Sequence, residues 1–300
     1  VGKTGIKIAL DVVIAVTVFV LFHYFGNTAE FAVAGASAFV WMADLWNYPQ
    51  YDFSHGWLIP LVSLFVLWRD RKRIMQAPRR VFPPGIVVII AALFLHFTGY
   101  RTEQTRLSLF ALVLLMWSIP LYLAGPDVAK RLVFPCGYLL FCIPFTFLDA
   151  FSFKLRFIGA TVSTFLLNGL GISVSQVGTA IHSMDGTFAL DVADPCSGLR
   201  YFISMAALTA VYAYFTQKTL LRQWSLFLGA VPIAVGANII RIVGIAVVAK
   251  TLGQKTAVGV YHDWSGYIVF LVAVLLMLAI GSLIDRVCAK RVPNEQSTVL

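Results

Sequence analysis

Long apolar runs alternate with short gaps, and most of the lysines and arginines sit in every second gap. The apolar runs fall at about 8–25, 55–69, 84–100, 106–124, 131–148, 197–216, 223–249 and 264–285. Each is close to the length that crosses a hydrocarbon core of roughly 30 Å. Lys3 and Lys7 precede the first run. Arg69, Arg71, Lys72, Arg73, Arg79 and Arg80 separate the second from the third, and Lys130 and Arg131 follow the fourth. Lys218 and Arg222 follow the sixth, and Arg286, Lys290 and Arg291 follow the eighth. Basic gaps mark the cytoplasmic side. The pattern therefore predicts an all-α polytopic membrane protein, a single integral-membrane domain over 1–300 with about eight transmembrane helices and both termini in the cytoplasm. Residues 30–47 read as an interfacial helix rather than a ninth span.

Composition agrees: only 12% of residues are charged, about half the share of a soluble domain. The net charge of +9 belongs to inner loops, so the partner it implies is the lipid bilayer and not nucleic acid. The first run lacks a small-residue cleavage site and reads as an anchor. The four cysteines form no CxxC pair and no metal-ligand spacing, so neither a metal nor another cofactor is signalled.

The longest outer segment covers about 149–195. Its first part, with Lys154 and Arg156 among apolar residues, reads as an amphipathic interfacial helix. Two alternating runs around Asp185-Gly186 then predict a small extracytoplasmic β-hairpin.

Chemistry-bearing residues gather on the same outer side. In Asp194-Pro195-Cys196, an acidic cap and a first-turn proline mark a helix start. A cysteine there meets unpaired amide hydrogens and the positive end of the helix dipole, which favour its thiolate. Arg200 follows one turn later on the same face. In the seventh run, Asn238 and Arg241 interrupt an apolar helix. An arginine in such a place either snorkels to the headgroups or faces a protein interior for a purpose. His262 and Asp263 stand at the outer start of the last run, with Asp263 able to orient the histidine. His55, in Ser54-His55-Gly56, stands at the outer start of the second. A thiol, a base and a fixed cation from three helices at one membrane face make a nucleophilic site. His23, His96 and His182 read as structural.

These residues resemble the exosortase/archaeosortase family of membrane-embedded cysteine transpeptidases. The resemblance lies in Cys196-Ser197-Gly198 opening a helix, Asn238-x-x-Arg241 in the next, His262 with Gly266 in the last, and the Ser-His-Gly segment before the second. It spans roughly 50–285. It implies Cys196, Arg241 and His262 as catalytic positions. Arg200, Asn238, Ser197, Gly198, Asp263 and His55 read as supporting or substrate-binding candidates beside them, with headgroup anchoring the other reading of His55. Archaeal members carry an arginine where this chain has His262, so the resemblance is to the bacterial exosortase branch. That branch implies the bacterial inner membrane, an active site on the periplasmic side, and exported proteins as substrates. Their C-terminal sorting signal combines a Pro-Glu-Pro-like (PEP-CTERM) motif, a transmembrane helix and a basic tail. The acyl acceptor stays open. Three other classes are a transporter lined by Asn238, Arg241 and His262, a thiol oxidoreductase pairing Cys196 with Cys142, and a polysaccharide-export assembly subunit without peptidase activity.

Overall fold

Inside a bilayer, backbone N–H and C=O groups find no water and must pair within their own segment, so the apolar runs have to be helical. The computed structural model describes residues 3–28, 35–47, 53–143, 147–191, 199–257, 259 and 262–289. The chain divides into two units, 1–145 and 146–300.

The first unit holds α1 (Lys3–Tyr24), α2 (Ala38–Asn47), α3 (Leu58–Met75), α4 (Gly85–Arg101), α5 (Thr105–Ala124) and α6 (Pro126–Tyr138). A 3₁₀ turn, Ser54–Trp57, leads into α3, and another, Leu139–Cys142, continues α6. At ten residues, or about 15 Å, α2 is too short to cross the core. The expected run at 131–148 differs more. Its helix starts earlier because Pro126 stands at a first-turn position, where proline's missing N–H costs nothing. Lys130 and Arg131 thus lie inside α6 rather than in the gap before it. His23 shares a 3.1 Å hydrogen bond with Ser37 Oγ, and His96 packs its ring 4.5 Å from that of Phe22. Both are structural in these surroundings.

The second unit holds α7 (Phe147–Gly169), strands β1 (Val174–Val177), β2 (Ala180–Ser183) and β3 (Ala189–Asp191), then α8 (Leu199–Thr216), α9 (Leu220–Leu252), the short α10 (Gln254–Thr256) and α11 (His262–Ala289). The expected hairpin is a three-stranded antiparallel meander, ordered β1-β2-β3. The extra turn comes from Gly178, which adopts φ +64° at the first position of a two-residue turn between Val177 and Ala180. Only glycine takes that position readily. The anticipated Asp185-Gly186 turn joins β2 to β3. There Asp185 Oδ1 accepts hydrogen bonds from Thr187 N–H at 3.2 Å and Thr187 Oγ1 at 2.7 Å.

The sheet sits on one end of α9. Val174, Ile181, Phe188 and Leu190 bury one face against Ile242, Ile245, Ala246 and Ala249 of α9 and Ala160 and Leu167 of α7. At 33 residues, α9 is about 50 Å long and exceeds a bilayer core. Its last three turns are thus a platform for the sheet. Lys250 pairs with Asp185 across this junction, and Gln254 Nε2 donates to Ala189 O at 2.9 Å.

Polarity is inverted on the long helices. Phe165 of α7 is 77% exposed, and Phe153, Phe157 and Leu170 are exposed with it, whereas Ser163 on the opposite side is fully buried. Water would reverse that arrangement, so the outer face of α7 is built for lipid. By length and apolarity, three described helices can cross a membrane: 105–124, 220–252 and 264–286. Shorter apolar helices lie at 9–24, 85–101 and 203–216.

The Lys250 ammonium is the first cause, with the Ser183 and Thr187 hydroxyls behind it, of an Asp185 carboxyl held well below the ordinary carboxylate range. A lowered acid pKa contributes stability above the unfolded value and loses it as pH falls through the folded one. The sheet is therefore expected to keep its protease resistance from pH 7 to pH 5. Lys250→Met should raise cleavage between 170 and 191 at neutral pH, read by limited proteolysis and mass spectrometry.

Candidate active site

Arg241 lies 11 residues before the end of α9, so about 16 Å of helix continues beyond it. It does not reach for the headgroups. The side chain is only 3% exposed and turns to α11, where Nε donates to Ser265 Oγ at 3.3 Å. Ser265 is itself 4% exposed. A guanidinium inside an apolar helix pair is stable only when its donors meet oxygen acceptors, because desolvation otherwise costs several kcal/mol.

The bond also fixes where Arg241 stands along α11. His262 opens α11, three residues before Ser265, a rise of about 4.5 Å along the helix axis. The guanidinium is thus tied within one helical turn of the expected base. The side chains of His262 and Asp263 lie outside what the structure describes. The same holds for residues 192–198, which include Asp194, Pro195, Cys196, Ser197 and Gly198. Arg200 falls in the first turn of α8, which begins at Leu199, and its side chain too is outside the description.

Asn238 takes a different direction from Arg241, although both lie on one side of α9. Its amide faces α7: a Cβ built on Gly159 would stand 3.8 Å from Asn238 Nδ2 and 3.7 Å from Ile242 Cδ1. Its Oδ1 is buried with no hydrogen-bond partner among the described residues. A buried acceptor without a donor is costly, so this oxygen is a place where a ligand's N–H gains most. The two residues that the sequence pairs by spacing therefore serve two neighbouring walls, α7 and α11.

His55 belongs to the first unit, in the 3₁₀ turn ahead of α3, 5.4 Å ring to ring from Phe53. The glycine of its Ser-His-Gly segment has a packing reason. A Cβ on Gly56 would fall 2.3 Å from Trp46 Nε1, whose N–H donates to Cys142 O at 2.9 Å. Cys142 is 4% exposed and its thiol donates to Leu139 O at 2.9 Å. That buried, bonded thiol is poorly placed for exchange with an external disulfide.

The family model for transmembrane exosortases (Exosortase_EpsH) matches residues 41–279, well over half of the chain. The chain belongs to the transmembrane exosortase family. No curated protein and no solved structure matches it. The exosortase match contains every position singled out above, including Asn238, Arg241 and His262, and it contains Ser265, which sequence reasoning missed. The available signal was spacing: Ser265 is a polar residue one turn after His262, just ahead of the long apolar run of α11.

Ser265→Ala removes a hydrogen bond to a buried charge, a contribution of about 1.5–3 kcal/mol. Its unfolding temperature in detergent is expected to fall measurably. Ser265→Thr, which keeps the hydroxyl, should recover most of the loss.

Proposed function

We propose that this exosortase-family protein is a membrane-embedded cysteine peptidase or transpeptidase of the bacterial inner membrane, acting on its periplasmic face. Its substrates are exported proteins ending in a sorting motif of the Pro-Glu-Pro kind, a transmembrane helix and a basic tail. The observation that carries this reading is the Arg241–Ser265 bond, which holds a buried cation one helical turn from His262.

In the proposed reaction, His262 takes the thiol proton of Cys196, and the thiolate sulfur attacks the carbonyl carbon of the scissile peptide bond. Arg241 donates to the oxyanion of the tetrahedral intermediate. The C–N bond then breaks, the proton on His262 passes to the leaving amine, and an acyl-thioester remains on Cys196. Water or a surface amine or hydroxyl completes the transfer and restores the thiol. Preorganised donors aimed at a developing oxyanion typically contribute about 2.7–4 kcal/mol to catalysis. Arg200 pairs with an acidic substrate residue or steadies the thiolate, Asp263 orients His262, and Asn238 meets the substrate backbone from the α7 side. Ser197 and Gly198 are supporting positions next to the nucleophile.

Co-expression with a reporter ending in a Pro-Glu-Pro segment, a 20-residue apolar helix and an arginine-rich tail tests this. Wild type is expected to shorten the reporter on a gel. Cys196→Ala should abolish shortening, and Arg241→Ala should slow it by about 10² to 10³-fold, in line with a lost oxyanion donor. Shortening that persists in both variants would falsify the assignment. A separate measurement addresses the base: alkylation of Cys196 across pH should lose its low-pH shoulder in His262→Ala. An unchanged profile removes His262 from that role.

A further inference from the structure

In the first unit, α1 packs on its neighbours near its end and leaves a cleft near its start. Phe22 is fully buried with Ala111 and Leu115 of α5, and the Phe19 ring stacks on that of Phe39 in α2 at 5.5 Å. Toward the start of α1 a cleft of about 960 Å³ opens against α5 and α6. Its walls are apolar, with Ile14 and Val18 of α1, Leu112, Met116 and Leu123 of α5, and Leu132 of α6. The charged residues that line it are Arg79, Arg80 and Asp11. They share one end of it. Asp11 stands eleven residues before Phe22, and Ala124, which accepts the Arg80 N–H at 3.1 Å, stands nine after Leu115. Both are thus about 14–17 Å from the closed end.

We propose that this cleft binds one anionic phospholipid of the cytoplasmic leaflet, with its phosphate at Arg79 and Arg80 and an acyl chain along α1 and α5. The proposal is independent of the peptidase reading.

Charge, depth and fixed geometry select that occupant. Neither guanidinium makes an ion pair or a hydrogen bond among the described residues, so their donors are open to an anion. Two guanidiniums and one carboxylate leave this end at net +1, the match for the single negative charge of a phosphodiester. A choline lipid would bring a second cation and lose that match. Basic pockets between helices on the cytoplasmic side are where anionic headgroups bind, and the basic gaps in the sequence assign this end to the cytoplasm. The depth equals about half of a hydrocarbon core, the share of one leaflet. A crossing helix needs the whole core and would run into the closure at Phe19, Phe22 and Phe39. The segment that bears the arginines is also pinned: Phe82 N–H donates to Tyr122 O at 2.9 Å, and a Cβ on Gly125 would stand 2.7 Å from Arg80 O. The backbone of Arg80 is therefore held at the mouth of the cleft.

Native mass spectrometry of the full chain in dodecyl maltoside, titrated with dioleoyl-phosphatidylglycerol or dioleoyl-phosphatidylcholine, reads the binding. The first phosphatidylglycerol is expected to bind at least tenfold more tightly than phosphatidylcholine. Each arginine near a membrane surface contributes about fivefold, so Arg79→Gln with Arg80→Gln should weaken phosphatidylglycerol about 25-fold and remove the preference. Arg71→Gln with Arg73→Gln removes the same charge from α3, outside the cleft, and should change binding less than threefold. Ala15→Phe puts a ring into the cleft from α1, whose Ala15 lines it, and should weaken phosphatidylglycerol at least fivefold with both arginines in place. Equal binding of the two lipids, equal losses from the two arginine pairs, or an Ala15→Phe chain that binds as wild type overturns the assignment. A dimer that persists without lipid and disappears in Ala15→Phe also overturns it, by giving the cleft to a second copy.

Discussion

A guanidinium at 3% exposure between two apolar helices is an expensive group to bury, and much of the second unit is arranged so that it can be held there. The bond to Ser265 sets the level at which α11 lies along α9. It also sets the level of everything attached to α11, including His262 at its start. Had Arg241 reached the headgroups, its position would follow the membrane surface and vary with lipid. Held by α11, it is fixed by protein, which is the condition for a preorganised electrostatic site.

The same helix carries three features in succession along its length. Residues 232–241 of α9 form one wall of a groove shared with α11, Arg241 closes its polar end, and Ile242, Ile245, Ala246 and Ala249 support the sheet. Because β3 ends at Asp191, only a few residues separate the sheet from Cys196 and Arg200. The Lys250–Asp185 pair and the Gln254–Ala189 bond tie the sheet to α9 and α10, and so tie the start of the Cys196 segment to the helix that bears Arg241.

Much of this is legible in the sequence because a bilayer leaves few choices. Runs of apolar residues at 84–100 and 106–124 become helices at nearly the same bounds, since length and composition decide them. The departures come where local rules outweigh composition. Pro126 starts α6 ahead of its apolar run, and Gly178 splits one apparent strand into two. Residues 151–172 read as amphipathic, but the sequence alone does not say that α7 turns Ser163 inward and Phe165 outward. That depends on α9 and the sheet being there to cover the polar side. Ser265 is harder still. Serines in apolar helices commonly bond their own backbone, as Ser282 does to Leu278 O at 3.0 Å. Only the rotation of α11 against α9 makes Ser265 a partner for Arg241.

The division of labour between Asn238 and Arg241 follows from the same geometry. Three residues apart on an α-helix means about 60° apart around it, enough for one side chain to face α7 and the other α11. An extended peptide held between those two helices would meet an amide from one side and a guanidinium from the other. The two groups suit different parts of a peptide bond. Asn238 Oδ1, without a hydrogen-bond partner among the described residues, would accept an N–H, and Arg241 would donate to a carbonyl oxygen. A pair of that kind reads backbone rather than side chains, so the proposed site would fix the register of the scissile bond and leave choice of motif to residues elsewhere.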